Sequence, residues 1–211
     1  MADNGFSGTE RTVRVMTATA EVITLRTRLR ELTLTPFTAE LARPMQEAIL
    51  ASGDQLSRWM TWWHEGSTEA EALAWAEFCD TAKAAGTHHE FALQTESCPY
   101  VGSCALTSVD RTARTANLAY WTRSDYAGRG IASAAARRTA AWGVSALGLR
   151  RVEVAMATAN VASRRVAERA GALLDGVMRN RVHVRGRSYN FAVYSLSPED
   201  FHADELGDSP R

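Results

Sequence analysis

Two glycines separated by one residue form the part of the sequence best suited to holding an anion. Gly128 and Gly130 lie in a loop and allow the backbone to approach a ligand closely, and an alanine-rich helix pattern begins at Ile131. The first amides of a helix have no intrahelical partner, and they point outward at bound anions. Arg129 adds a positive charge. This segment therefore predicts a site for a phosphorylated ligand.

Two familiar nucleotide-binding motifs do not fit this loop. A P-loop requires Gly-Lys-Ser/Thr, and no such residues follow Gly130. A dinucleotide-binding motif requires a third glycine, where this chain has Ser133. Glu153 is at a suitable distance to bind a ribose, but it alternates inside a strand pattern and does not end a strand. Neither fold is expected.

Charge is distributed unevenly along the 211 residues, although the net charge is zero. Residues 111–187 carry a balance of +11, all of its positive charge from arginine, while residues 1–110 carry −7 and the remainder −4. Guanidinium groups bind phosphate oxygens in pairs, so the arginine-rich part fits a phosphorylated cofactor or a nucleic acid. Its arginines lie on several elements without a recognition motif, so we expect no nucleic-acid partner.

The composition, with 45% hydrophobic and 23% charged residues, is that of a folded protein and excludes collagen-like and mostly disordered classes. No apolar run approaches the roughly 20 residues of a membrane helix, and the N-terminus lacks a secretory signal pattern. We therefore expect a cytoplasmic protein with no membrane association. Cys79, Cys98 and Cys104 have no metal-ligand spacing, so no metal is expected.

Hydrophobic periodicity and turn residues predict seven strands and five helices. The first helix opens at Thr38 and ends before Gly53. A helical stretch containing Leu56, Trp59, Trp62 and Trp63 precedes a helix that starts near Ser67, with Leu73, Trp75, Phe78 and Cys79 on its apolar face. The predicted strands cover residues 31–35, 90–94, 100–106, 115–122, 151–156, 174–184 and 188–196, and two further helices cover 131–147 and 160–170. This order predicts an α/β (α+β) fold, a mixed, mostly antiparallel sheet flanked by helices. The domain spans 23–198, between a flexible tail (1–22) and a polar tail (199–211).

Four separated pieces of the sequence resemble the GNAT N-acetyltransferases, and among them the ribosomal-protein N-terminal acetyltransferases of the RimJ/RimL type. The pieces are residues 27–36, residues 56–62, the Ala119-Tyr-Trp-Thr122 strand end with the glycine loop, and residues 160–171. The resemblance implies a GNAT-like sheet of about seven strands and transfer of an acetyl group from acetyl-CoA to a primary amine.

The resemblance also implies which residues bind coenzyme A. The loop would hold the pyrophosphate through Tyr126, Ala127, Gly128, Arg129, Gly130 and Ile131. The preceding strand, Tyr120, Trp121 and Thr122, would pair with the pantetheine arm. Asn160 would contact the cofactor, and Ser163 would protonate the leaving thiolate, although a serine at this position also suits capping of the helix. Asp125 replaces a common Arg or Gln, which weakens phosphate binding by side chains.

The acceptor and the general base stay open. The acceptor is the α-amino group of a protein or peptide N-terminus, or a small-molecule amine such as an antibiotic. Asn117 and Val182 replace the usual acids, so a non-catalytic acyl-CoA-binding regulator is a further alternative. Oligomeric state, monomer or homodimer, is not decided.

Candidate residues for binding the acceptor come mainly from one segment. Trp59, Trp62, Trp63 and His64 lie where relatives cover the amine, although aromatic residues at helical spacing are also typical of a core. His183 is a weaker candidate, because strand alternation turns it away from position 182. The remaining candidates for receiving the amine proton are His64, Glu65, His88, His89 and Glu90.

Overall fold

The computed structural model describes residues 23–27, 30–184 and 186–206. The predicted tail 1–22 and residues 207–211 lie outside the described residues. The strands are β1 (Ile23–Thr27), β2 (Arg30–Pro36), β3 (His89–Thr95), β4 (Cys98–Asp110), β5 (Thr115–Thr122), β6 (Arg151–Ala157), β7 (Leu173–Val184) and β8 (Arg187–Leu196). The helices are α1 (Ala42–Ala51), α2 (Gly53–Trp59), α3 (Glu69–Ala84), α4 (Ile131–Leu147), α5 (Val161–Arg169) and α6 (Ala203–Leu206).

The strands form one sheet in the order β1-β2-β3-β4-β5-β6-β8-β7. All neighbouring pairs are antiparallel except β5 and β6, which are parallel because α4 crosses over between them. The predicted mixed, mostly antiparallel α/β fold is confirmed. The described sheet has eight strands, one more than the sequence indicated, because β1 pairs with β2 along its whole length.

The parallel pair β5–β6 is short, and this opens the sheet. Pairing extends only from Thr115–Arg151 to Asn117–Glu153. Beyond Asn117 the two strands diverge, so residues 118–122 have no strand partner on that side among the described strands. The Thr122 carbonyl accepts a hydrogen bond from Gln55 Nε2 at 3.3 Å, and the other backbone groups on this side of residues 118–122 have no strand to pair with and can bind a ligand.

Helices cover both faces of the sheet and enclose two cores. On one face, α4 packs against the strands through residues such as Ile131 and Trp142. On the other face, α1 to α3 enclose a smaller core that includes Ile49, Leu56 and Trp121. The end of β5 is in contact with both helical layers, so it can position groups on either side of the sheet.

Two of the helix predictions are wrong in detail. The second helical stretch ends at Trp59, since Met60 has an extended backbone, and Trp62 and Trp63 follow in a turn. Helix α3 starts with the expected capping box between Thr68 and Glu71. Its buried face, however, consists of small side chains, while two of the residues predicted to be buried, Leu73 and Phe78, are exposed. The buried residues are Ala72, Ala76, Cys79 and Ala82.

The segment after β8 packs on the domain as far as residue 206. Phe201 is buried, and the Arg137 guanidinium on α4 forms an ion pair with Glu205 on α6. The Arg137 side chain also lies over the Phe201 ring, 5.1 Å from its centroid. The first part of the expected polar tail, residues 199–206, therefore belongs to the ordered structure.

Candidate active site

A cleft of about 430 Å³ lies where β5 and β6 diverge. Its walls come from the end of β5, the glycine loop, the first turn of α4 and the first turns of α5. Ten of the eleven predicted cofactor residues line it, namely Tyr120, Trp121, Thr122, Tyr126, Ala127, Gly128, Gly130, Ile131, Asn160 and Ser163. The structure thus brings together residues that are more than 40 positions apart in the chain.

The glycine loop presents backbone amides to this cleft. Gly128 and Gly130 have φ angles of 75° and 85°, in the left-handed region that disfavours other residues. Gly130 is the N-cap of α4 and has no side chain with which to cap the first turn, and that turn contains no acidic residue. The amides of Ile131, Ala132 and Ser133 therefore face the cleft as donors for an anion.

Charged side chains of the loop point elsewhere. Arg129 stacks on the ring of Tyr126, 5.1 Å from its centroid, and does not line the cleft. Asp125 is paired with Arg123, with Nε and Oδ1 3.0 Å apart. This ion pair offsets the charge of the aspartate that was expected to weaken phosphate binding. In this loop the cleft is formed by backbone rather than by charged side chains.

Two hydroxyl groups meet at the junction of β5 and α5. The Tyr120 hydroxyl donates to the backbone oxygen of Ser163 at 3.0 Å and lies 3.2 Å from Ser163 Oγ. Asn160 is the N-cap of α5, and its Oδ1 accepts a hydrogen bond from the Ser163 amide at 3.1 Å. Because Asn160 performs the capping, Ser163 Oγ is left facing Tyr120. Burial raises the pKa of Tyr120 well above its ordinary value, so its hydroxyl stays protonated.

A second cavity of about 450 Å³ lies on the other side of β5, and the two cavities share Met60, Tyr120 and Trp121. Trp62, Trp63 and His64 line this second cavity, as a site for an acceptor would require. Two of the residues expected to bind the acceptor lie elsewhere. Trp59 lines the first cleft, and His183 lines neither cavity but contacts Ser188 near the β7–β8 turn.

Comparison with known proteins identifies the family to which this architecture belongs. The family described as "Acetyltransferase (GNAT) domain" matches residues 31–173, which is more than half of the chain. The chain belongs to the GNAT acetyltransferases. This confirms the family expected from the four sequence pieces, and with it acetyl-CoA as the acetyl donor.

Individual relatives of this GNAT chain include ribosomal-protein acetyltransferases. It is 32% identical over 104 residues to a Bacillus subtilis protein named "Putative ribosomal N-acetyltransferase YdaF", and the match covers 49% of this chain and only 57% of that protein. Mycobacterium smegmatis RimJ, solved with CoA-disulfide, has a TM-score of 0.76 at 22% identity, covering 85% of this chain and 88% of RimJ. Ribosomal-protein-S5-alanine acetyltransferase from Vibrio fischeri has a TM-score of 0.76 at 15% identity, covering 85% and 99%.

Two arginines at the GNAT cleft were not singled out from the sequence. Arg165 and Arg169 lie four residues apart on the exposed face of α5, and both line the cleft. The neighbouring Arg164 points away, because its Nε donates to the Tyr194 hydroxyl at 3.1 Å. Helical spacing alone indicates that positions 165 and 169 share a face. Which arginines face the cofactor depends on how α5 packs.

The floor of the second cavity is a row of neighbouring residues on β3, β4 and β5. Glu90 pairs with Ala105, and Ala105 pairs with Ala119, so all three lie on one face of the sheet. Strands are about 4.8 Å apart, which places the Cα atoms of Glu90 and Ala119 about 10 Å apart. The two alanines leave room between the carboxylate and the end of β5, where the two cavities meet.

The structure distinguishes between the candidates for receiving the amine proton. His88 Nε2 and Glu90 Oε2 are 2.8 Å apart, both side chains are buried, and both line the second cavity. His64 forms an exposed ion pair with Glu71 at the cavity rim, which helps to raise the pKa of His64 after the larger effect of its hydrogen bond with the Glu65 backbone.

The other candidates lie outside the second cavity. His89 is buried on the opposite face of the sheet against Trp142, where burial lowers its pKa to about 4. Glu65 does not line the cavity, and neither Asn117 nor Val182 lines either cavity.

One group of side chains has the donor types of a metal site. The ligand atoms of Cys79, His88 and Glu90 lie within 4.8 Å of one another. Burial raises the pKa of the Cys79 thiol strongly, so the thiolate that a metal would require is disfavoured. His88 and Glu90 already bond to each other.

Within the described part of the chain, no helix is long and apolar enough to cross a membrane.

Proposed function

We propose that this acetyltransferase moves the acetyl group of acetyl-CoA to the α-amino group of a protein or peptide N-terminus. The observation that carries the proposal is the meeting of two cavities at the end of β5, one suited to the cofactor and one containing a buried carboxylate. The names of the structural neighbours, which include a ribosomal L7/L12 alpha-N-protein acetyltransferase, support an N-terminal acceptor. The cytoplasm, where ribosomal proteins are made, is the proposed location.

Residues of the cleft fit coenzyme A. The amides of residues 128–133 would bind the pyrophosphate, and Arg165 and Arg169 would pair with phosphate oxygens. The unpaired edge of β5 would hydrogen-bond the pantetheine arm. When bound, acetyl-CoA supplies a thioester whose acetyl carbon is open to attack by an amine. Fixed backbone donors at Tyr120 and Trp121 would stabilise the negative charge that develops on the carbonyl oxygen.

The acceptor amine must lose a proton, and Glu90 is the proposed proton acceptor. Its carboxylate lies in the second cavity, which we call the acceptor cavity, and the hydrogen bond to His88 holds the carboxylate in place. Direct transfer requires the amine nitrogen within about 3 Å of Glu90, and one intervening water extends that reach. The buried pair would thereby replace the acids that are missing at Asn117 and Val182.

Ser163 and Tyr120 would protonate the leaving sulfur. The new N–C bond would form as the C–S bond breaks, and the sulfur would take its proton from one of the two hydroxyls at the junction of β5 and α5, which would then regain a proton from solvent. The proton taken up by Glu90 then returns to solvent. Each step uses a group that already lies beside the proposed reaction path.

Transfer of acetyl to defined acceptors tests the proposal. The full chain is incubated with acetyl-CoA and peptides that carry a free α-amine and one lysine, and fragmentation mass spectrometry locates the acetyl group. We expect acetylation at the α-amine and none in a matched peptide with a formylated N-terminus. Acetylation of small amines alone would favour a small-molecule acceptor. Calorimetric binding of acetyl-CoA without transfer to any acceptor would favour a non-catalytic regulator.

A further inference from the structure

The acceptor cavity has walls unlike those expected for a small polar N-terminal residue. The rings of Trp62, Trp63, Trp75 and Trp121 line it together with Met45 and Ile49. Trp62 packs against Trp121 with ring centroids 6.3 Å apart, and Trp62 is 48% exposed at the entrance. A serine or alanine side chain is too small to fill most of the 450 Å³. Cavities of this size usually enclose larger ligands.

The charged groups of the cavity indicate a cation. Glu90 lies inside it and Glu71 at its rim, and no lysine or arginine lines the cavity in the described residues. An ammonium group is attracted to carboxylates and also to the faces of indole rings. An acidic first side chain would be repelled by Glu90, and the two histidines of these walls, His64 and His88, already pair with Glu71 and Glu90.

We propose that the preferred acceptor is an amine whose α-carbon carries a large apolar or aromatic side chain, as in a peptide that begins with phenylalanine or leucine. This inference rests on the proposed transfer to an N-terminus and narrows its substrate class. The amine lies between Glu90 and the end of β5, and the apolar group fills the space between the tryptophans. The Vibrio fischeri protein is named for an alanine acceptor, whose side chain is smaller than the one proposed here.

Ala119 offers a way to change the volume of the cavity. It lies on the cavity floor and is exposed, so a larger side chain can be accommodated there without displacing the core. Asn117 is two residues earlier on the same strand, is also exposed, and lines neither cavity. Ala119→Leu and Asn117→Leu therefore form a matched pair.

The test compares kcat/KM for peptides that differ only in their first residue, Phe, Leu, Ala, Ser or Asp, and for phenethylamine. We expect Phe and Leu peptides to exceed Ala and Ser peptides by about tenfold or more, and Asp to be poorest. Ala119→Leu should reduce this preference at least about fivefold, while Asn117→Leu preserves it. Trp62→Ala, at an exposed site, should lower kcat/KM for the Phe peptide with the calorimetric Kd for acetyl-CoA unchanged.

The outcomes separate this inference from the proposed function. Acetylation of Ala or Ser peptides as fast as Phe peptides would overturn the inference and leave N-terminal transfer intact. Acetylation of phenethylamine but of no peptide would support the apolar acceptor and reject the protein N-terminus. No transfer to any of these amines would reject both.

Discussion

Ser163 and Tyr120 place two hydroxyl groups at one point of the cleft, so replacing each in turn shows which one donates the proton. We expect Ser163→Ala to lower kcat about ten- to a thousand-fold with little change in KM for acetyl-CoA, since a leaving thiolate benefits from a donor only as the C–S bond breaks. Steady-state kinetics measure both constants. If Tyr120→Phe is slow and Ser163→Ala is not, Tyr120 is the donor.

Glu90 should matter most when the acceptor amine carries a proton. We expect Glu90→Gln to lower kcat/KM at pH 7 by about ten- to a hundred-fold, and the deficit to shrink toward pH 9, because an amine with a pKa of about 8 is then already neutral. A pH–rate profile measures this. Glu77→Gln, at an exposed position of α3 that lines neither cavity, is the control and should keep the kcat/KM of the unmodified protein. A deficit independent of pH would contradict the role of Glu90 as base.

From the sequence, the residues that could receive the amine proton were proposed only as a group, with no choice among them. Strand alternation puts Glu90 and His89 on opposite faces of β3, but the sequence does not indicate which face the acceptor uses. That depends on α1 to α3 covering one face and α4 the other. The contact between Ser163 and Tyr120 joins residues 43 positions apart. Such a contact depends on tertiary packing and has no local signal.

The first turn of α4 should bind phosphate through its backbone geometry. Gly130→Ala forces a side chain into the left-handed region, which costs about 1 kcal/mol and displaces the first-turn amides. We expect the Kd for acetyl-CoA to rise at least about fivefold by calorimetry. Gly66→Ala is the matched control for Gly130→Ala. Gly66 also has a positive φ angle, 80°, and open space around it, but it lies away from the cleft. Equal loss of stability with unchanged cofactor affinity in both variants would count against the anion site.

Elements bounded by local signals were predicted well, whereas strand β1, which is defined by its pairing with β2, and the C-terminal end of helix α2 were not. Helix α4 has its predicted bounds because Gly130 and Gly148, both with positive φ, enclose it. Helix α2 has no such signal at its C-terminus, and the prediction continued it past Trp59. The divergence of β5 from β6 after Asn117 leaves no trace in the even alternation of β5. It arises from long-range packing of the two strands.

At the scale of the molecule, several arginines of the middle segment form structural ion pairs. Arg137 pairs with Glu205, which lies outside residues 111–187, and Arg151 pairs with Asp175 and Glu153, which the +11 balance already includes. The whole-segment charge therefore overstated the charge available for phosphate, and sequence alone could not assign the pairs. Arg165 and Arg169 are the arginines that line the cleft among the described residues.

These two arginines should make cofactor binding dependent on salt. We expect the Kd for acetyl-CoA to rise between 50 mM and 500 mM NaCl, because salt screens exposed charges, and we expect the rise to be smaller in Arg165→Gln/Arg169→Gln. Calorimetry at several salt concentrations measures the slope. Arg150→Gln removes an exposed arginine that pairs with Glu199 away from the cleft, so it should keep the full slope.

His89 should make the stability of the whole domain depend on pH. Its folded pKa is about 4, lowered first by burial, against about 6.5 in the unfolded chain. The unfolded state therefore binds the extra proton between these values, and stability is full above pH 6.5 and is lost as pH falls toward 4, by about 3 kcal/mol in total. Urea midpoints at pH 8, 6 and 4.5 should fall for the unmodified protein and less for His89→Phe, whose ring keeps the contact with Trp142.

Glu205, with a pKa lowered to about 2 by Arg137, acts only below about pH 4.5, so Glu205→Gln should leave the slope between pH 6.5 and 4.5 unchanged. A midpoint for His89→Phe that falls as steeply as that of the unmodified protein would assign the acid sensitivity to other groups.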